Sequence, residues 1–196
     1  MKKTCLICSS GEYPICEKCY HELEFVKYSR KLNYIDDLKI LMPYAKIPKK
    51  FMIDLKFNHN YGYIEFFYAI IQKECDFKNI DYLIYIPDDI LRRMKRGTNV
   101  SHEIVKRISN DYHIPIAKVL KRKGISKPSH EMTGYERANK NHNFYIKGEI
   151  ENANYLVVDD ILTTGKTLSD VGKTIKMTNE KGRVNALVIL GEGGAI

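Results

Sequence analysis

The sequence predicts an α/β fold: a mostly parallel central sheet flanked by helices, preceded by a small N-terminal element built on four cysteines. Three observations carry this expectation. Short apolar, β-branched runs alternate with stretches of helical period, the pattern of a parallel sheet with right-handed crossovers. One run, Tyr155-Leu156-Val157-Val158, ends in Asp159-Asp160 and leads through Thr163-Thr164-Gly165-Lys166-Thr167 directly into a helical stretch. Two C-x-x-C pairs, Cys5/Cys8 and Cys16/Cys19, stand near the N-terminus.

The elements follow in order. Residues 1–30 are expected to form a cysteine knuckle and a polar exit segment, and 31–196 the α/β domain. Between the cysteine pairs, Ser9-Ser10-Gly11-Glu12-Tyr13-Pro14 is turn-rich, as a knuckle needs. The spacing fits a four-thiolate structural zinc site, with two disulfides or a redox pair as the alternatives. So small a piece has little core of its own, so metal would supply most of its folding free energy. Residues 38–42 read as a strand ended by Pro43, and Pro48 suits a helix start. Phe51, Met52, Leu55 and Phe57 fall mostly on one helical face, Asn58-His59-Asn60 breaks the pattern, and a second helix covers 63–73. Cys75, among apolar neighbours, reads as a small buried hydrophobe.

Residues 82–86 form a buried-strand run stopped by Pro87-Asp88-Asp89. Arg92, Arg93, Lys95 and Arg96 then precede Gly97, ahead of a helix over 100–110 that Asn99 or Ser101 can cap. This basic stretch is either a second anion site on the same sheet edge or a solvated loop. A strand is expected at 116–121. A long polar segment, 122–143, follows and holds His130, Tyr135 and Arg137; loops of that length are often binding loops or lids. Residues 144–146 suit an edge strand. Leu168, Val171, Gly172 and Ile175 give the sheet-facing stripe of a helix over 168–178, with Gly182 at its end. The last strand covers 184–190.

The chemistry gathers around 155–167. In open α/β sheets ligands sit beyond the carboxyl ends of the strands, where Asp159 and Asp160 are expected to project. Carboxylates accept hydrogen bonds from sugar hydroxyls. Thr163, Thr164 and Thr167 offer hydroxyl donors, Gly165 lets the backbone approach an anion, and the next helix aims its first amides at it. The bland alternative is a strand-turn-helix whose acids merely cap the helix. The spacing is not that of a P-loop, because the first glycine is missing.

Composition sets bounds. The chain has 196 residues, 44% hydrophobic, with a net charge of +8. That is enough for one good core plus a small appendage, and the charge favours polyanionic partners. No stretch reaches the length of a membrane span, and no long apolar run follows Lys2 and Lys3. A cytoplasmic protein with no membrane insertion is the expectation.

YLVVDDILTTGKT, at 155–167, is similar to the phosphoribosyl pyrophosphate (PRPP) signature of type I phosphoribosyltransferases. With the two C-x-x-C pairs ahead of it, the chain resembles the ComF competence family over nearly its full length. Leu55-Lys56-Phe57 resembles a family element. Arg93-Met94-Lys95-Arg96-Gly97-Thr98-Asn99-Val100 resembles the family's Arg-x-x-Arg-Gly-Phe-Asn-Gln, with Thr98 and Val100 as departures. A glutamine of the family's long loop is replaced near His130, and Arg137 matches the arginine after it.

The resemblance implies that Asp159 and Asp160 hold the ribose and take part in catalysis, and that Thr163, Thr164, Gly165, Lys166 and Thr167 hold the 5-phosphate. It implies pyrophosphate contacts from Arg93, Arg96, Gly97 and Arg137, Mg²⁺ bound with PRPP, and a structural Zn²⁺ on Cys5, Cys8, Cys16 and Cys19. The implied role is handling of incoming single-stranded DNA in natural transformation, with a competence helicase as a partner. The alternative is an active phosphoribosyltransferase of nucleotide or cofactor metabolism.

Overall fold

The computed structural model describes residues 3–27, 30–88, 98–122 and 144–191. Among them the strands are β1 (Asp37–Pro43), β2 (Tyr82–Tyr85), β3 (Leu120–Arg122), β4 (Phe144–Ile146), β5 (Tyr155–Leu162) and β6 (Val184–Gly191). The helices are α1 (Glu17–His21), α2 (Lys46–Phe57), α3 (Gly62–Glu74), α4 (Val100–Tyr112) and α5 (Lys166–Lys176). Strands β1, β6, β5 and β2 pair in that order, all parallel. β3 and β4 form a separate antiparallel pair.

The sheet is apolar on both faces, as a parallel sheet between helices must be. Alternation divides the strands cleanly. Leu83, Leu156, Val158, Leu187 and Ile189 join α2, α3 and α4 in one core. Ile84, Tyr155, Val157, Ala186 and Val188 join α5 and the β3–β4 pair in the other. Phe66, Phe67, Ile70 and Ile71 of α3 are fully enclosed, each contributing about 1.5–3 kcal/mol of burial.

The N-terminal element packs on the first of these cores. Cys5, Ile15 and Cys19 are buried in the same cluster as α2, α3 and α4. Lys73 of α3 donates to Glu17 at 2.8 Å and lies over the Tyr20 ring, and the Tyr20 hydroxyl bonds Glu74. From there the chain donates Val26 N–H to the Leu41 carbonyl of β1. Residues 30–36 then run against α5, where the Tyr34 carbonyl would lie 2.5 Å from a Cβ placed on Gly172.

Several expectations shift at element ends. Ile116 makes only a lone parallel bridge to Leu83, and the strand begins at Leu120. α5 starts at Lys166 and stops at Lys176, ahead of the expected 178. Gly182 therefore lies past the helix, in a loop. A Cβ there would meet the Ala153 carbonyl at 2.0 Å, so close packing rather than helix termination requires glycine. Asn179 closes this loop: fully buried, it accepts from Ala153 N–H and donates to Ala153 O, both at 3.0 Å. In α2, Phe57 is exposed and Lys56 is buried in its place.

Candidate functional site

β5 outruns its neighbour. The β2 ladder ends where Tyr85 faces Val158, while pairing with β6 continues to Leu162. Asp159 and Asp160 therefore lie inside the strand, not beyond it as expected. β6 is long enough to keep the ladder going, and the stop of β2 bares the other edge of β5. A cavity of about 370 Å³ opens beside that edge.

Each wall has an identifiable origin. β5 supplies Asp159, Asp160 and Ile161, and the loop after it supplies Thr163 and Thr167. The chain leaving β2 supplies Ile86, Pro87 and Asp88. Ser101 enters from the first turn of α4, whose start Asn99 fixes. The Asn99 side chain accepts from His102 N–H at 2.8 Å and donates to the Ile86 carbonyl at 3.0 Å, tying the helix to the end of β2. Of the two caps the sequence allows, Asn99 is the one used. Arg122 reaches in from β3, lies over the Phe144 ring and donates to Pro87 O at 3.4 Å.

Consecutive strand residues point to opposite faces, so the two acids meet different surroundings. Asp160 turns toward α2, where Lys56 Nζ stands 2.5 Å from its Oδ2. The Lys56 side chain is 7% exposed and Asp160 20%. Asp159 Oδ1 accepts the Asp160 N–H at 2.9 Å. Burial, together with the neighbouring Asp160 charge, pushes the Asp159 carboxyl up to about 7, against the pull of that hydrogen bond and of Lys56. The site thus pairs a carboxylate held by an ammonium with one that titrates near neutrality.

The loop turns at Gly165, whose φ of 79° is left-handed, a conformation glycine adopts without cost. Gly165 at the N-cap has no side chain; Thr164 Oγ1 accepts the Lys166 N–H at 3.4 Å, and the amides that follow it face the open end of the helix, where an anion can bind. Thr163 and Thr167 border the cavity. Thr164 and Lys166 are exposed, and Lys166 pairs with Asp170 at 3.4 Å. Arg30, arriving from the N-terminal side, donates to the Thr163 carbonyl.

The structure therefore brings Asp159, Asp160, Thr163 and Thr167 to one cavity, with Gly165 shaping its rim. Arg93, Arg96, Gly97, His130, Tyr135 and Arg137 lie outside the described residues. Lys56, Ser101, Arg122 and Arg30 are additions that the sequence reading did not assign to the site. Lys56 carried a signal: it sits four residues after Met52, in the buried stripe of an amphipathic helix where lysine is out of place.

The cysteines form a second centre. The Cys5, Cys8, Cys16 and Cys19 sulfurs all lie within 4.8 Å of one another. A tetrahedral ion with metal–sulfur bonds of ~2.3 Å sets its sulfurs ~3.8 Å apart, and Cys8 and Cys16 are 3.8 Å apart. The group can hold a metal ion. Hydrogen bonds from the Ser10 hydroxyl and backbone hold the Cys8 thiol down to about 6, while burial and the neighbouring sulfurs push Cys19 up to about 12. A bound cation would convert all four to thiolates. Cys75 is separate, half-buried, and its thiol is pushed up to about 11 by burial. That is a reluctant nucleophile.

Among the described residues no helix is long and apolar enough to cross a membrane. No family model matches the chain, and no curated protein matches it. Solved structures do. An adenine phosphoribosyltransferase from Leishmania tarentolae aligns at TM-score 0.43 and 10% identity, over 71% of this chain and 75% of that one. A purine phosphoribosyltransferase from Pyrococcus horikoshii Ot3 aligns at 0.42 and 16%, over 65% and 82%. A hypoxanthine phosphoribosyltransferase from Staphylococcus aureus aligns at 0.32 and 17%, over 68% and 65%. The α/β class, the parallel sheet and the four-cysteine element of this chain stand on its own fold.

Proposed function

We propose that this chain is a ComF-like, phosphoribosyltransferase-like protein that binds PRPP, or a related ribose phosphate, in the cavity at the end of β5. One observation carries the reading: two adjacent carboxylates on a bared strand edge share a cavity with the threonine loop and the N-terminus of α5. Asp159 and Asp160 accept the vicinal hydroxyls of the ribose. Thr163, Thr164, Gly165, Lys166 and Thr167, with the first α5 amides, take the 5-phosphate. Arg93, Arg96, Gly97 and Arg137 remain the sequence's candidates for pyrophosphate.

The carboxylates of Asp88 and Asp159 are hard oxygen donors of the kind Mg²⁺ accepts, and Mg²⁺ bound with PRPP would neutralise its pyrophosphate. In a transferase reaction an acceptor nucleophile bonds to the anomeric carbon as its bond to pyrophosphate breaks. The protein's part is to hold the ribose in line and stabilise the developing positive charge with its acids. Cys5, Cys8, Cys16 and Cys19 hold a structural Zn²⁺, within a knuckle bounded at about residue 30.

A thermal-shift titration tests the site. PRPP with Mg²⁺ at a hundred times its Kd adds ~2.7 kcal/mol of stability, which raises Tm by ~5–10 °C for a chain of this size. Asp159→Asn, close to isosteric, should abolish most of that rise. No shift for the wild type at millimolar PRPP would contradict the reading. A pyrophosphate-release screen against nucleobases then asks whether transfer occurs.

The resemblance to the competence family extends the proposal to single-stranded DNA, with a helicase as the associated partner. A net charge of +8 and exposed Tyr34, Tyr61 and Tyr145 support it, as cations for the backbone and rings for stacking. Oligothymidylate binding that weakens steeply with salt is expected; salt-independent or absent binding removes this extension.

A further inference from the structure

We propose that Lys56 is a built-in counter-ion that lets the acid pair take a ribose diol without a divalent cation, so that only the pyrophosphate end of the ligand depends on metal. This rests on the reading of the β5 cavity as a ribose-phosphate site.

The geometry sets Lys56 apart from an ordinary surface lysine. It lies in the last turn of α2, on the helix face of Met52 and Leu55, both wholly buried, and only 7% of its side chain is exposed. A buried ammonium is costly unless paired, and the Asp160 carboxylate stands 2.5 Å from it. The packed stem leaves the ammonium little freedom to swing away. Its charge is therefore a fixed part of the cavity wall, present before any ligand arrives.

Two consequences follow for what the acids can hold. Adjacent carboxylates repel, and a site with both ionised normally calls for a cation between them. Here the protein supplies that cation from behind. A metal ion approaching Asp160 through the cavity would meet the positive charge of Lys56 at close range. A neutral diol meets no such repulsion. The Asp160 oxygen not bound to Lys56 and the free oxygen of Asp159 remain acceptors for two hydroxyls. Lys56 acts through Asp160, as a positioning residue rather than a catalytic one.

Ribose 5-phosphate, which lacks the pyrophosphate, isolates this subsite. Calorimetric titration of the zinc-loaded protein would be run in resin-treated, magnesium-free buffer and again with Mg²⁺, because a chelator would also strip zinc. The expected result is a Kd equal within about twofold in the two buffers for the wild type. Lys56→Met should weaken binding at least about tenfold without Mg²⁺, with part of the loss restored by Mg²⁺, and Lys56→Arg should stay near wild type. A purely structural role would lower Tm without creating that magnesium dependence.

A wild-type Kd that is tenfold weaker without Mg²⁺ overturns the inference, and this arm needs no variant to fold. A Lys56→Met protein with unchanged affinity overturns it as well. If the folded wild type binds neither ribose 5-phosphate nor PRPP, the underlying site reading fails and takes the inference with it. Binding of PRPP with Mg²⁺ alongside magnesium-dependent ribose 5-phosphate binding sinks the inference alone.

Discussion

Gly165→Ala is the substitution whose cost the structure defines best. Gly165 has φ 79° and ψ 0°, and a methyl group there meets Leu32 Cδ2 at 2.5 Å, Leu32 Cδ1 at 3.1 Å and Arg30 Nη2 at 3.2 Å. Holding alanine in the left-handed region costs ~1–2 kcal/mol. Leu32 must also leave its rotamer, at ~0.5–1.5 kcal/mol. The sum is about 1.5–3.5 kcal/mol, which lowers Tm by ~3–14 °C for a chain of 150–250 residues. Scanning calorimetry of the zinc-loaded variant reads this directly. Leu32→Ala in the same background should recover the overlap part, giving a coupling of ~1 kcal/mol in the double-mutant cycle. A Gly165→Ala protein that melts within about 1 °C of wild type would refute the argument that residues 30–36 are packed onto this loop.

Three further outcomes are expected. Removing metal should lower Tm and expose the cysteines to thiol reagents, Cys8 first because its thiol is held down to about 6 and Cys19 last because burial holds it near 12; labelling rates that ignore metal would contradict the four-thiolate centre. Asp159, raised to about 7, keeps its proton in the folded state over a range where the unfolded chain, at ~3.9, has released it. Its contribution is therefore lost as pH rises from about 4 to 7. Asp159→Asn should gain stability relative to wild type at pH 8 and little at pH 4, and equal differences at both would be wrong for this carboxyl. Asn179→Ala orphans the Ala153 N–H and carbonyl, at ~1–3 kcal/mol for each buried group left unpaired. Denaturant melts should show it, and a loss below about 0.5 kcal/mol would mean the loop before β5 is held by something else.

The sheet was legible because its strands are largely buried on both faces, so β2 and the first half of β5 read as apolar runs and β1 and β6 as runs broken only by Lys39 and Asn185. The acids and the threonine–glycine loop were legible for a different reason: their order along the chain is itself the motif. What the sequence could not give was the extent of pairing. Whether Asp159 belongs to a strand or a loop depends on β6 running to Gly191 and on β2 stopping at Tyr85, a non-local fact. The same holds for Arg122 and Ser101, which reach the cavity only because the β3–β4 pair and α4 are folded against its mouth. Phe57 was expected on the buried face because hydrophobicity favours it inward, yet it is exposed and Lys56 is buried. The pull of a buried carboxylate on a neighbouring ammonium outweighed that preference.

The central claim is that the β5 cavity holds a ribose phosphate through its paired acids. Calorimetric titration of the zinc-loaded protein with PRPP and Mg²⁺, beside an Asp159→Ala/Asp160→Ala variant shown to be folded, tests it most directly. Saturable binding by the wild type, lost by at least about a hundredfold in the variant, is the predicted result. Equal binding by both proteins, or none by the wild type at millimolar PRPP, would contradict it.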